Sequence, residues 1–287
     1  MTDAVHNYQF TTVHFDLALT LRSGQVFHWT EQGGEWHGLV GDAPMIIRQE
    51  DDVLIGRGLA APEALAHYLA LDHPMRRILR QLPRDPHLKA ASAYCGKLRL
   101  LRQPAWECLA TFITSAVKQV PHIAQISGHL RRAYGLPVEF AGRTYYTYPT
   151  PAALAAASEA DLREHARLGW RAPHLRATAG LIAGGGFDLA APRTLPLAEA
   201  RKALCSLPGV GEKVANCVLL FAYERLEAFP VDVWIERMLR ELYFPGREHI
   251  TAGEIREFAA RYFGPYGGYA QQLLFHHGRA GGALRKL

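Results

Sequence analysis

The pattern of apolar and polar positions changes texture near residue 60. Between about residues 10 and 58, short β-like runs such as Gln25–Trp29, Glu35–Val40 and Pro44–Arg48 are broken by Gly33-Gly34 and Gly41-Asp42. Runs of this kind between glycine turns predict hairpins, and hence an antiparallel sheet. Beyond Pro62 the spacing becomes helical. It predicts helices over residues 63–71, 86–94, 104–117, 121–134, 151–157, 159–168 and 173–183, with proline or glycine at many boundaries. No fixed-period repeat stands out, and Gly184-Gly185-Gly186 lacks the preceding strand of a phosphate-binding fingerprint. The expected class is α+β: an N-terminal antiparallel α+β domain over residues 1–95, then a mainly α-helical two-lobed region over 96–287.

The most specific chemistry lies in that helical region. A helix carrying Ala200, Ala203, Leu204 and Leu207 must stop at Pro208, because proline lacks an N–H and disfavours helix in the residue before it. Gly209 and Gly211 then supply backbone freedom, with Val210 between them, and a second helix opens. Residues 205–215 thus read as a tight hairpin between helices. The first N–H groups of the second helix have no intrahelical partners and sit at its positive pole, so a phosphate is a natural ligand. Such contacts hold DNA without reading its sequence.

Lys213 falls in the first turn of that helix, where the dipole and the following apolar run both disfavour a cation. An ordinary lysine is almost wholly protonated at neutral pH, so a nucleophilic one needs such surroundings. Asp232 lies 232 − 213 = 19 residues further on, in the loop 228–234, where Phe229-Pro230-Val231 precedes an amphipathic run. The position suits an N-cap. A carboxylate held there could stabilise charge developing on a sugar ring while the amine captures its anomeric carbon. Each element alone also has a plain reading: the turn as a helix connection or a phosphate grip, the aspartate as a simple cap.

Taken in order, the residues resemble the helix-hairpin-helix glycosylase superfamily, and within it the 8-oxoguanine DNA glycosylase/AP lyase family. Beyond residues 205–237 the resemblance rests on Ser23-Gly24-Gln25-Val26-Phe27-His28-Trp29, on Leu98–Gln103 with Trp106–Leu109, on Leu168–Ala172, and on Gly264–Gln271 with Phe275. It spans roughly residues 15 to 280. It implies a base-excision enzyme that flips oxidised guanine out of duplex DNA, removes it, and cleaves the strand by β-elimination through a lysine Schiff base. Lys213 is the implied nucleophile and Asp232 its assistant.

The resemblance further implies that the Gly24 carbonyl accepts from the N7–H that oxidised guanine has and guanine lacks. Normal guanine would present an acceptor to that carbonyl, so the contact discriminates by repulsion as well as attraction. Phe275 and Cys217 are expected to sandwich the flipped base and Gln271 to bind its Watson–Crick edge. Gly209, Val210 and Gly211 would contact DNA. The main-chain carbonyls of Cys205, Leu207 and Val210 are expected to hold a structural monovalent cation, K⁺ or Na⁺, with no other cofactor required.

The chain also departs from the family. Where eukaryotic members carry an Asn-Asn-Asn stretch facing the orphaned cytosine, this sequence has Val117-Lys118-Gln119, and a nearby arginine is replaced by His122. Arg171 is retained among the residues that read the opposite base, Trp170 replaces a stacking tyrosine, and Trp234 replaces a phosphate-contacting histidine. Relaxed preference for the opposite base is the expectation, with Lys118, His122, Trp170, Arg171 and Trp234 on the DNA-facing surface.

Composition adds less. With 287 residues and 49% hydrophobic content the chain can bury a sizeable core, and a net charge of +5 suits a polyanionic partner. Cys95, Cys108, Cys205 and Cys217 lack the clustered spacing of an iron–sulfur loop, so no cluster is expected. The first residues lack a basic segment followed by an apolar one, and no apolar run approaches a membrane span. The expectation is a cytoplasmic or nucleoid-associated monomer with reduced thiols and no membrane partner. Two rivals stay open: a glycosylase for alkylated purines, which needs neither Lys213 nor the Gly24 carbonyl, and a non-catalytic hairpin module that only grips DNA.

Overall fold

The computed structural model describes residues 5–115, 118–164, 166–247 and 249–280. Its first part is a five-stranded antiparallel sheet of strands β1 (His6–Thr11), β2 (Thr30–Gln32), β3 (Glu35–Val40), β4 (Ala43–Glu50) and β5 (Val53–Gly58). Their spatial order is β1-β5-β4-β3-β2. Register sets Trp36 opposite Ile47 and Met45 opposite Gly58, so that Tyr8, Trp36, Met45, Ile47 and Leu54 form one buried cluster. Helices α1 (Leu17–Leu21) and α2 (Pro62–Tyr68) add Leu17, Leu21, Leu65 and Tyr68 to it. Burying each such side chain is worth about 1.5–3 kcal/mol.

One expected strand does not form. Residues 25–29 are irregular because the wholly buried Gln25 is claimed by a neighbouring segment rather than by a strand. Its Nε2 donates to the Arg99 carbonyl at 2.7 Å, its Oε1 accepts from the Leu101 N–H at 2.8 Å, and its carbonyl accepts from Gln103 Nε2 at 2.8 Å. The apolar residues that suggested a strand include Val26 and Trp29, which turn into the sheet core.

The rest is helical: α3 (Met75–Gln81), α4 (Pro86–Cys95), α5 (Ala105–Ser115), α6 (Val120–Tyr134), α7 (Pro151–Ala156), α8 (Glu159–Glu164) and α9 (Ala172–Ala183), then α10 (Leu197–Cys205), α11 (Glu212–Ala222), α12 (Val233–Tyr243), α13 (Ala252–Phe263) and α14 (Gly267–Arg279). A hairpin not anticipated from sequence, β6 (Pro137–Phe140) with β7 (Arg143–Tyr146), interrupts them. Ala141 and Gly142, at φ 51° and 73°, make its two-residue turn, a backbone that suits the twist of paired strands.

Two apolar cores divide the helices. One gathers α5, α6 and α7 to α11; the other gathers α4 with α12, α13 and α14. Residues 86–95 thus pack with the second helical lobe rather than with the sheet. Helices α5 and α11 are buried over Glu107–Ser115 and Val214–Ala222, and Phe112 stacks on Phe221 with ring centroids 5.5 Å apart. Helices this apolar on every side are interior ones.

Charged seams join the sheet layer and connecting segments to this body. Glu107 pairs with Arg131 and lies 3.2 Å from His28 Nδ1. Burial pushes the Glu107 carboxyl up, but Arg131 and His28 outweigh it and hold the group down at about 2. In a second cluster Arg102 forks onto Asp72 at 2.6 and 2.9 Å and also pairs with Glu224. His73 sits between Glu224, 2.7 Å from its Nε2, and the Tyr269 hydroxyl, 2.6 Å from its Nδ1.

Candidate active site

The site is assembled around α11. Helix α10 ends at Cys205, and Leu207 to Val210 turn tightly, with the Val210 N–H donating to the Leu207 carbonyl at 3.1 Å. Gly209 has φ +78°, and a Cβ there would lie 2.8 Å from His174 Cβ, so glycine is required on both counts. Gly211 differs from the expectation. Its backbone is extended at φ −96°, and a Cβ would meet nothing within 4 Å, so the fold itself does not demand glycine there. The space in front of the helix start is open, and no side chain caps it.

Lys213 stands in the first turn of α11 and is partly buried. Its Nζ donates to Ser115 Oγ at 3.2 Å and lies 5.2 Å from the Phe112 ring centroid. The Ser115 hydroxyl in turn donates to the Phe112 carbonyl at 2.9 Å, leaving its oxygen free to accept from the amine. Asp232 is the N-cap of α12 and accepts from the Ile235 N–H at 2.8 Å. The two charges meet at one atom. Burial pushes the Cys217 thiol up to about 11, while Lys213 pulls it down and Asp232 pushes it further up. The charges of the amine and the carboxylate are therefore both felt at the same buried sulfur.

From Asp232 the site continues to the end of the chain and back to its beginning. Trp234, two residues on, meets Phe275 edge to face with centroids 5.4 Å apart. Phe275 belongs to α14, as does the buried Gln271, whose Oε1 accepts from Gln272 Nε2 at 2.8 Å. Gly24, at φ +88°, brings the first domain to this wall: a Cβ on it would lie 3.5 Å from Phe275 Cε1 and 3.4 Å from Val120 Cγ2. So Gly24, Phe275 and Trp234 line one wall, while Cys217, Lys213 and Asp232 gather beside α11.

The remaining sequence-predicted residues sit apart: Lys118 just before α6, His122 in its first turn, and Trp170 and Arg171 in a single 3-10 turn before α9. Lys118 donates to the Arg167 carbonyl at 3.3 Å, which ties the turn before α6 to the turn before α9; Val117 lies outside the described residues. His122 is exposed. Trp170 is 62% exposed and its ring centroid lies 3.9 Å from the Arg171 guanidinium carbon. Arg171 is buried and donates to the Ile113 carbonyl at 3.0 Å; burial pulls its pKa down. Three neighbours were not anticipated. Ser115 and Phe112 looked like ordinary core of α5, and Arg279 stands one helical turn beyond Phe275, a spacing that puts both on one face.

A cleft of about 640 Å³ lies elsewhere, between β3, α6 and the β6–β7 hairpin, and reaches toward this site only at Phe27, whose ring contacts Phe112. The four cysteines are free thiols. Among the described residues no helix is long and apolar enough to cross a membrane.

Uncapped hairpin, lysine in the first turn and capping aspartate together define a class of DNA-repair fold, and comparison with known proteins agrees. Residues 7–109 match the 8-oxoguanine DNA glycosylase N-terminal domain, and residues 111–265 match the HhH-GPD superfamily base excision DNA repair protein family. The chain belongs to the HhH-GPD superfamily, with the N-terminal domain of the 8-oxoguanine DNA glycosylases. It is similar to a probable N-glycosylase/DNA lyase of Methanothermobacter thermautotrophicus, 31% identical over 95% of this chain and 96% of that one. Among solved structures it is similar to MBOgg1 in complex with a low-affinity DNA ligand, with a TM-score of 0.90, 33% identity, and 98% and 99% of the two chains covered. It is also similar to the 8-oxoguanine glycosylase/lyase of Clostridium acetobutylicum bound to duplex DNA with cytosine opposite 8-oxoguanine, with a TM-score of 0.88, 28% identity, and 96% and 98% covered.

Proposed function

We propose that this protein is a base-excision-repair DNA glycosylase that removes oxidised guanine from duplex DNA and cleaves the resulting site as a lyase. The observation that carries this reading is Lys213 in the first turn of a helix whose start no side chain caps, held by Ser115, with the charge of Asp232, the cap of α12, acting on the same buried Cys217 thiol. In the proposed reaction the neutral Lys213 amine attacks C1′ of the flipped nucleotide and the C1′–N9 bond breaks. The base leaves with the bonding pair, and the amine surrenders a proton. Asp232 offsets positive charge on the sugar as that bond lengthens. Opening of the C1′–O4′ bond gives an imine. Loss of a C2′ proton then expels the 3′ phosphate, and water finally releases the amine.

Substrate recognition follows from the wall opposite. A carbonyl at Gly24 accepts from N7–H, Phe275 and Cys217 enclose the base plane, and Gln271 addresses the Watson–Crick edge. The first N–H groups of α11 grip phosphate, with the turn Gly209, Val210 and Gly211 letting the backbone approach; the Val210 N–H itself is spent on the Leu207 carbonyl. Carbonyls of Cys205, Leu207 and Val210 suit a hard monovalent cation there, since they are oxygen donors and the Leu207 carbonyl retains a lone pair beyond its bond to Val210. Lys118, His122, Trp170 and Trp234 face the duplex, with the retained Arg171 buried beside Trp170, and the departure of those four from the family pattern favours tolerance of bases other than cytosine opposite the lesion. Action as a monomer in the cytoplasm or nucleoid completes the reading.

The test is borohydride reduction of the wild-type enzyme on an 8-oxoguanine duplex. A covalent protein–DNA adduct is expected, and Lys213→Gln should abolish it while keeping duplex affinity within a few-fold. An adduct that survives the substitution, or base release from alkylated but not oxidised purines, overturns the assignment.

A further inference from the structure

The region between Gly24 and Phe275 contains a third group that the reading above leaves idle. Arg279 Nη1 would lie 3.2 Å from a Cβ on Gly24, and its guanidinium carbon is 5.3 Å from the Phe275 ring centroid. Gly24, Phe275 and Arg279 thus converge on one spot, although the first comes from the opposite end of the chain. No carboxylate pairs with Arg279 among the described residues, and none of their side chains accepts from it. Arg279 is exposed, and partial burial draws its pKa below the ordinary arginine value, so its donors meet water rather than a counter-charge. Donors of a cation that meet only water can be taken up by acceptors on a ligand, as charge-assisted hydrogen bonds.

On a flipped oxidised purine, the edge that meets a carbonyl at Gly24 is the N7 edge, and two exocyclic carbonyl oxygens, on C6 and C8, flank that N7–H. Both are acceptors. Arginine presents donors in a fixed fork and is the side chain that most often reads purine oxygens in this way. We propose that Arg279 is a specificity residue of the base pocket, donating to an exocyclic carbonyl oxygen beside the N7–H that Gly24 reads. The proposal rests on the glycosylase reading and deepens it: the carbonyl rejects a bare N7 while the guanidinium requires an oxygen next to it.

The experiment measures single-turnover base release from an 8-oxoguanine duplex, and strand cleavage of a duplex carrying a preformed abasic site, for wild type, Arg279→Met and Arg279→Lys. Loss of one charge-assisted hydrogen bond predicts a fall of about 10- to 100-fold in base release for Arg279→Met. Arg279→Lys should fall less, and cleavage of the abasic duplex, which has no base to read, should stay within about twofold. Equal losses on both duplexes would assign Arg279 to phosphate or to the fold, and unchanged or faster base release would make it a bystander or a plug; each overturns the proposal. Wild-type enzyme inert on 8-oxoguanine sinks the underlying reading too, whereas an active wild type with an indifferent Arg279→Met sinks only this one.

Discussion

The reactive corner beside α11 and the charged seams that join the domains use similar residue types to opposite ends. In the seams the charges are paired, with only the Nε atoms of Arg102 and Arg131 left without a partner: Arg102 holds Asp72 and Glu224, His73 bridges Glu224 and Tyr269, and Glu107 holds Arg131 beside His28. In the corner, Lys213 has one side-chain hydrogen bond, to a neutral hydroxyl, and Asp232 spends one oxygen on a helix cap. Saturated pairs fix geometry, because removing one partner strands a buried charge. Sparse pairing leaves bonding capacity for a substrate. The rigidity that positions the corner therefore comes from elsewhere, through buried helices and the seams behind them.

The largest expected effect tests the corner. Asp232→Asn preserves a capping oxygen but removes the charge, so melting temperature should barely change while base release falls about 10³-fold, or about 4 kcal/mol of barrier. Asp232→Ala should add about 1 kcal/mol of lost stability, read by denaturant melts. If Asn and Asp turn over alike, the carboxylate is only a cap and the contrast between the regions dissolves.

The next effect tests the seam. A folded value of about 2 against an ordinary 4.5 means that Glu107 contributes stability fully present above about pH 4.5 and lost as pH falls through 2. That shift corresponds to about 3 kcal/mol at neutral pH. Glu107→Gln should lose about that much at pH 7 and show a flatter stability profile between pH 4.5 and 2 than the wild type, measured by urea melts across that range. Parallel profiles would show that Glu107 is not the anchor.

The smallest effect separates two glycines of one turn. Gly209→Ala meets both a positive φ and the His174 side chain and should cost about 2 kcal/mol. Gly211→Ala should leave stability within about 0.5 kcal/mol, yet weaken binding to undamaged duplex by intruding on the open helix start. Equal destabilisation by both would mean that the open space before α11 serves the fold, not a ligand.

Much of this was legible before any coordinates. Pro208, Gly209 and the apolar run after Lys213 specify the hairpin through local chemistry, and Asp232 before an amphipathic run specifies its cap. What was missed depended on distant partners. Gln25–Trp29 has the composition of a strand, but Gln25 is tied by Arg99, Leu101 and Gln103, a tertiary override that no local pattern reveals. The β6–β7 turn at Ala141-Gly142 is the exception, a local signal lying between two helical runs. Ser115 under the lysine and Arg279 beside Gly24 owe their places to packing between segments far apart in sequence, where no spacing rule applies.

That Gly24 reaches Phe275 only by spanning the junction of two layers has an outcome for how selectivity is stored. The amine and the acid reside wholly within the helices, so on the proposed reading loosening the sheet layer leaves a protein still able to capture an exposed sugar yet unable to tell which base had occupied it. Discrimination, in this architecture, is a property of docking, and reactivity is not.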